Sequence, residues 1–347
     1  MKSLLAKLFK ENELDNEELL FLLDNLSLDY ERILSDYALI TRKEIYGDKV
    51  FLRALLEISN HCNKTCKYCG LRGENASTDR YRLSREEILE SCKDGYKHGF
   101  RTFVLQSGED SYFTDDILEE IIKEIKSQCP GVAITLSIGE KSRYSYLKYF
   151  KAGVDRYLLR HESASKTLYE ELHPSMSVEN RRRCLWQLKD IGYQVGAGFI
   201  VGLPGQDNKV LVEDLMFLKK LKPHMVGIGP LIVHPDTPLR NCSNGTMEKT
   251  LVCLALIRLL LPEVLLPSTT ALNVLDPLGL GKALQVGANV VMPNITPLDA
   301  RKKYELYKGK DYSRDINGDL MKETIERIEA AGFEVDMGRG DHPDFYI

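Results

Sequence analysis

From residue 51 onward the chain alternates short apolar, β-branched runs with charged amphipathic stretches, and this alternation restricts its fold more than any other feature. Eight such runs recur: FLRALLEIS (51–59), RTFVLQS (101–107), VAITLSI (132–138), RYLLR (156–160), QVGAGFIVG (194–202), MVGIGPLI (225–232), VLLPST (264–269) and NVVMPN (289–294). Short apolar runs separated by helical segments are the pattern of parallel strands joined by crossover helices. The connector SREEILESCKDGYKHG (84–99) carries the helix signals openly, with Ser84 and Glu87 at capping-box spacing and Gly99 at its end. Eight strand–helix units in about 250 residues are the size of a (β/α)8 barrel. The predicted fold is therefore α/β, a complete (β/α)8 TIM-type barrel over 49–310. Residues 1–48, with apolar stripes at Leu4, Leu5, Leu8 and Leu19, Leu20, Leu22, Leu23, form an N-terminal helical cap. Residues 311–347 form a C-terminal helix (321–332) and tail. Chemistry in such a barrel sits at the C-terminal ends of the strands, so residues just after each run carry functional weight.

Charge and composition narrow the function. Lys and Arg number 47 against 51 acidic residues, which supports neither a nucleic-acid nor a membrane-surface partner. A small-molecule substrate is the expectation. The N-terminus interrupts its apolar residues with charges every three or four positions, unlike a signal peptide, and no run approaches the ~18 apolar residues of a membrane span. Of eight cysteines three cluster and five scatter (92, 129, 184, 242, 253), which is no secreted disulfide framework and fits a cytoplasmic protein.

The three clustered cysteines follow the first run directly, in NHCNKTCKYCG (60–70). Their C-x3-C-x2-C spacing lets Cys62, Cys66 and Cys69 converge from one loop. Three thiolates can hold three irons of a [4Fe-4S] cubane and leave the fourth open to a small molecule. A structural zinc site would instead need a fourth ligand, such as His61 or a distant cysteine. Tyr68 before the third cysteine and Gly70 after it complete a loop that resembles the defining motif of the radical S-adenosylmethionine (SAM) superfamily. The resemblance implies that the open iron binds the amino and carboxylate groups of SAM, that an electron from the cluster cleaves SAM to a 5′-deoxyadenosyl radical, and that Tyr68 belongs to the cofactor site.

Later segments extend the resemblance. LQSGED (105–110) stands where the superfamily carries a glycine-rich segment that receives the SAM amino group, implying roles for Ser107, Gly108 and Glu109; read without the resemblance, it is a strand-to-helix turn. RYLLRHE (156–162) places Arg160, His161 and Glu162 at the barrel mouth. Glu162 can accept hydrogen bonds from the SAM amino or ribose groups, and Arg181 can meet its carboxylate, although an isolated arginine is more often a solvated surface residue. GAGFIVGLPGQ (196–206) carries glycines, Gly202 among them, where a backbone must approach an adenosine closely. It resembles the superfamily's GxIxGxxE region, except that position 205 is Gly and the polar residue is Gln206. In VGIGPLIVHPDTPL (226–239), the resemblance implies that the Leu231 to Val233 stretch, Leu231 and Ile232 in particular, lines the adenine pocket through backbone atoms, while His234 reads first as a turn residue.

Together with LPSTTA and GANVVMPNITP, these segments resemble the HydE family of [FeFe]-hydrogenase maturases over roughly residues 45–310. That resemblance implies an enzyme whose adenosyl radical acts on an iron carbonyl-cyanide cysteine complex, with Arg160 and Glu162 as catalytic residues. It implies a cavity below SAM lined by Gln106, Arg160, Met225, Thr269, Thr270, Met292, Tyr304 and Tyr307. Of these, Met225 and Met292 read equally as barrel core. It also implies an organometallic or other small-molecule substrate, a ferredoxin- or flavodoxin-like electron donor, and other hydrogenase maturases as partners. Biotin synthase and the methylornithine synthase PylB share the architecture, so radical chemistry on an amino acid or thiol compound is the alternative. A non-catalytic zinc-binding barrel is the alternative from another class. Some HydE chains carry a further cysteine trio near the C-terminus for a second cluster; this chain has no cysteine after Cys253.

Overall fold

Three helices open the chain: α1 (Lys2–Glu11), α2 (Asn16–Asp24) and α3 (Leu28–Tyr46). A computed structural model describes residues 1–309 and 319–345. Asp15 starts α2 with a reciprocal capping box to Glu18, and Leu5, Leu8, Leu19, Leu22 and Leu34 bury the apolar stripes. The strand–helix alternation then runs β1 (Lys49–Leu52), β2 (Ala54–Ser59), α4 (Arg85–Lys97), β3 (Thr102–Ser107), α5 (Asp115–Gln128), β4 (Ala133–Ser137), α6 (Arg143–Ala152) and β5 (Arg156–Leu158). It continues through α7 (Lys166–Leu172), α8 (Val178–Ile191), β6 (Gln194–Ala197), β7 (Ile200–Val201), α9 (Asn208–Leu221), β8 (Met225–Val226), β9 (Gly229–Pro230) and α10 (Met247–Leu260). The last elements are α11 (Thr270–Leu275), α12 (Gly279–Gln285), β10 (Val290–Val291), α13 (Leu298–Arg301), α14 (Leu320–Ala330) and β11 (Glu334–Asp336). Helix α4 begins at the Ser84–Glu87 capping box, and Gly99 takes φ +95° just beyond its end. The N-terminal helices pack on the outer helix layer, α2 against α9 and α3 against α10 and α12. The predicted boundary at 310/311 lies outside the described residues.

Among the described residues the largest sheet has six parallel strands in the order β2-β3-β4-β5-β6-β8, with Leu56 beside Leu105 and Leu105 beside Leu136. Its strands are largely buried on both faces, as parallel strands covered by helices are, but only one face is apolar; the alternate positions carry Glu57, Thr102, Gln106, Thr135, Arg156 and Gln194. The seventh and eighth runs form thinner pairings. Isolated parallel bridges join Met225 to Leu265, Pro267 to Val290 and Leu55 to Asn294, while β1 pairs with β10 on one side and β11 on the other. Pro267 and Pro293 have no N–H to donate, which keeps those ladders short.

Two runs that read as single strands break in the middle. The fifth divides into β6 and β7, the sixth into β8 and β9, and β7 pairs with β9 in a separate two-stranded sheet. The break lies at Gly198, whose φ is +149° and where a methyl group would stand 2.0 Å from the Gly227 carbonyl oxygen. The two strands touch backbone to backbone there.

The opposite end is covered by residues 338–342. Arg156, fully buried at the start of β5, donates to the Asp341 carboxylate (2.5 Å), the Arg339 carbonyl (2.8 Å) and the Thr102 hydroxyl (3.0 Å). Gln194, at the start of β6, bonds both Asp341 (2.7 Å) and the His342 amide (3.0 Å). Arg53, between β1 and β2, donates to the Gly340 carbonyl and to Met225 Sδ, each at 3.0 Å. Nothing in the sequence of this segment announced that it would cross the N-terminal ends of the strands.

Candidate active site

The loop leaving β2 has no regular secondary structure, and side-chain bonds to its carbonyls hold it instead. The Arg80 guanidinium donates to the carbonyls of Asn60 (2.5 Å), Leu71 (2.9 Å) and Arg72 (2.8 Å), and Asn75 Nδ2 donates to Gly70 (2.8 Å). Asn60, fully buried, ties Asp79 and Lys303 to the same point. Cys62, Cys66 and Cys69 are presented on this scaffold as free, half-buried thiols. Burial raises all three pKa values, and the neighbouring thiols raise that of Cys66 further; Cys69 is pushed up to about 12. The backbone amides of Lys64 (3.5 Å) and Glu109 (3.4 Å) point at Cys62 Sγ, a setting for a sulfur that carries negative charge.

The spacing of these thiols bears on the metal. A tetrahedral zinc with Zn–S bonds of about 2.3 Å needs sulfurs about 3.8 Å apart. Among the described residues, the one group of three ligand atoms that all lie within 4.8 Å of one another is His224, His342 and Asp344, so the cysteines are spread wider than one small ion requires. A cluster in which each iron takes one sulfur suits that spread. His61, the fourth ligand of a zinc reading, has Arg82, Asp110 and Arg80 as its charged neighbours. The His224 group is poorly disposed to ligate. The Val195 amide donates to His224 Nδ1 (2.9 Å), so the proton of the neutral ring sits on Nε2, the nitrogen facing Asp344.

A cavity of about 340 Å³ opens beneath the loop at the C-terminal ends of the strands. Cys66, Cys69, Tyr68, Ser107, Glu162, Leu231 and Ile232 are among its lining residues. Gln106, Arg160, Thr269, Thr270, Met292, Tyr304 and Tyr307 line it as well. Gln106 Nε2 donates to the Tyr304 hydroxyl (3.1 Å), and the hydroxyls of Thr270 and Tyr307 share a bond of 2.6 Å. Arg160 Nε and Thr269 Oγ1 are buried without a hydrogen-bond partner among the described residues, the condition of polar atoms that await a ligand. Met225 is outside this lining; it packs with Tyr46, Phe51, Leu265 and Val290 and accepts from Arg53.

Glu162 is the most constrained residue of the rim. It takes φ +65°, a left-handed conformation that few non-glycine residues adopt, and its carboxylate accepts from Arg160 at 2.9 Å. Behind it Arg181 is nearly buried. Burial alone would lower its pKa, but Tyr169, Glu140 and Glu162 hold it above the ordinary value. Its Nε stands 2.9 Å from Glu140, and its Nη1 donates to the Arg160 carbonyl at 3.2 Å. Arg181 thus braces the turn that carries Glu162 and does not itself line the cavity.

Tyr68 is fixed by a residue the sequence reading passed over. Its hydroxyl lies 2.8 Å from His173 Nε2, and His173 Nδ1 lies 2.7 Å from the Tyr169 carbonyl. A carbonyl only accepts, so Nδ1 carries the proton and Tyr68 donates to Nε2. Burial lowers the His173 pKa to about 4, which keeps the ring neutral. The signal was present in LHP (172–174), a histidine just past a helix end, but no spacing tied it to Tyr68.

Gly108 and Glu109 pack against Cys62 and are not among the residues that line the cavity. Glu109 pairs with Lys64 (3.3 Å) and accepts from the Glu140 amide (2.9 Å). Gly202 takes φ +86° and meets Gly245 backbone to backbone. Asp110, not singled out by the sequence, takes two hydrogen bonds from Arg82 and one from Ser59, anchoring the LQSGED turn. Glu57 is a buried carboxylate in the cavity wall, bonded by Asn294 (2.9 Å). His234 caps its own turn, accepting from the Asp236 amide (3.1 Å).

Residues 56–218 match the radical SAM superfamily. The chain is 51% identical over 269 residues to the [FeFe] hydrogenase maturase subunit HydE of Thermotoga maritima, covering 78% of this chain and 77% of that protein. It is 30% identical over 316 residues to a 3-methylornithine synthase of Methanosarcina acetivorans, covering 89% and 87%. The crystal structure of methylornithine synthase (PylB) superposes with a TM-score of 0.82 at 27% identity over 96% of this chain and 97% of that one. No helix among the described residues is long and apolar enough to cross a membrane.

Proposed function

The chain belongs to the radical SAM superfamily and uses its cofactors, a [4Fe-4S] cluster and SAM, and on that premise we propose that it is a HydE-type maturase acting on an iron carbonyl-cyanide cysteine complex in [FeFe]-hydrogenase assembly. The observation that carries this reading is the 51% identity to a HydE maturase across most of both chains. Cys62, Cys66 and Cys69 would hold the cluster. The cluster, when bound, supplies the electron that cleaves SAM reductively to a 5′-deoxyadenosyl radical.

The protein's part is binding, orientation and exclusion of water. In this reading Tyr68, Ser107, Gly108, Glu109, Glu162, Arg181, Gly202, Leu231 and Ile232 form the SAM site, some by direct contact and some by bracing those that touch it. Glu162 accepts from the SAM amino or ribose groups, and Arg160 bridges SAM and substrate, so these two are the catalytic pair. Gln106, Thr269, Thr270, Met292, Tyr304 and Tyr307 receive the substrate, and Met225 supports the floor beneath. The unpartnered Arg160 Nε and Thr269 Oγ1 favour a ligand rich in acceptor atoms. The same proposal closes the barrel through the Leu265, Val290 and Asn294 bridges. It assigns 1–48 to a helical cap, 49–310 to the barrel and 311–347 to a C-terminal helix and tail. A ferredoxin- or flavodoxin-like donor, other hydrogenase maturases as partners and a cytoplasmic setting complete it.

Anaerobically reconstituted protein should be brown, bind about four irons per chain and release 5′-deoxyadenosine from SAM under reduction. Added to a maturation mixture lacking HydE, it should restore hydrogenase activity. SAM cleavage without restoration, accompanied by turnover of an amino acid or thiol compound, would move the assignment to the methylornithine synthase-like branch.

A further inference from the structure

Two turns of the candidate SAM site, that of Glu162 and that of Gly202, lean on one buried acid. Asp214 projects from α9 and is fully buried. Its Oδ1 accepts from the Ala164 amide and lies 3.3 Å from His161 Nε2, and its Oδ2 receives Gln206 Nε2 at 3.5 Å. Each partner reaches a turn. The Gly198 amide donates to His161 Nδ1 (3.3 Å), which leaves the ring proton on Nε2, the nitrogen facing Asp214. Gln206 Oε1 takes the Gly202 amide (2.6 Å), and Gln206 Nε2 also reaches the Ile200 carbonyl (2.8 Å). Between the turns, Glu162 donates its amide to Gly198 (3.0 Å) and accepts from the Ile200 amide (3.2 Å).

We propose that Asp214 is a positioning residue for SAM, holding the Glu162 turn through His161 and Ala164 and the Gly202 turn through Gln206 in one fixed relation. Resting on the radical SAM reading, the proposal explains three facts together. A non-glycine residue at φ +65° persists only where its surroundings over-determine it, and the Asp214 network surrounds Glu162 on both sides. A carboxylate buried this deeply is tolerated only when donors converge on it; the Ala164 amide and Gln206 Nε2 do, and His161 Nε2 faces it at 3.3 Å. Gln206 stands next to the position where a GxIxGxxE segment would end in glutamate, and here the acid is supplied from α9 instead. A neutral glutamine can bind the Gly202 amide and Asp214 at once, which a second carboxylate could not do without repulsion.

The test is Asp214→Asn, which keeps the volume and the Ala164 acceptor but turns a donor toward Gln206, with Gln206→Leu as the second variant. Both should retain wild-type iron content, and any fall in unfolding midpoint should be too small to account for the change in SAM binding. The KM for SAM, and the SAM concentration that half-converts the EPR signal of the reduced cluster, should each rise roughly tenfold, the effect of losing a buried charge-assisted hydrogen bond. The kcat should move far less. In the cluster-free chain, amide exchange at 162–164 and 200–203 should accelerate in Asp214→Asn. The double variant should be no worse than the more damaged single, because both act through one contact. Unchanged SAM titration and unchanged exchange in both variants would overturn the proposal, as would a loss that only tracks iron content and unfolding. Wild-type protein that cleaves SAM but matures no hydrogenase would refute the maturase assignment and leave this proposal standing.

Discussion

Gly108 lies so close to Cys62 that a methyl group built on it would stand 2.6 Å from Cys62 Cβ and 2.4 Å from the His61 carbonyl oxygen. The clash is with backbone and Cβ atoms, which cannot swing aside. Gly108→Ala should therefore displace the cluster loop at a cost of about 1–3 kcal/mol. Iron analysis after reconstitution should show substoichiometric, oxygen-labile cluster. A full and stable complement of iron would contradict the packing described.

Tyr68→Phe removes only an oxygen, yet it leaves His173 Nε2 buried as an acceptor without its donor. The expected loss is about 1–3 kcal/mol, distributed between stability and SAM affinity. Thermal unfolding and the KM for SAM, measured on the same preparation, should both move. His173→Phe should do the same, since the Tyr68 hydroxyl then lacks an acceptor.

Glu140→Gln is expected to harm the site from outside the cavity. Arg181 would remain nearly buried with its nearest carboxylate neutralised, and breaking buried pairs of this kind costs about 3–5 kcal/mol. Chemical denaturation should register the loss, and a variant as stable as wild type would show the pair to be dispensable.

The pH dependence of stability should carry the signature of Asp341. Burial would raise its pKa, but Arg156, Arg339 and Gln194 together hold it down at about 2. A depressed carboxylate pKa contributes stability that is complete above the unfolded value near 4 and lost as pH falls through the folded one. The window is therefore roughly pH 4 down to pH 2, and the contribution about 2 kcal/mol. Asp341→Asn should be destabilised at pH 7 and converge with wild type below pH 2 in denaturant titrations.

The cluster loop and the order of the strand–helix units were legible because each is written locally: cysteine spacing in one case, apolar periodicity and caps in the other. The Ser84–Glu87 capping box was readable to the residue. Strand integrity was not, because the break at Gly198 depends on Gly227, 29 positions away and unreadable as a contact. The same limit hid His173, Asp110, Glu57 and Asp214. Each matters through a partner distant in sequence, and a lone histidine or acid in a helix or strand carries no mark of whom it will meet. Arg181 was readable as a charge but not as a brace, since its role is set by Glu140 on another element. β11 went unseen because EVD is too short and too polar to register as a strand before β1 supplies its ladder.

Residues 339–342 leave the ribosome after every strand whose N-terminal end they cover. Until they arrive, the guanidinium groups of Arg156 and Arg53 face a sheet with neither Asp341 nor the Gly340 carbonyl to answer them. A nascent chain that has completed all its strands is thus still open to solvent at its base and carries two unmatched cations there. The segment therefore answers, from a distance of more than 180 residues in sequence, two guanidinium groups that the strands alone leave without Asp341 or the Gly340 carbonyl.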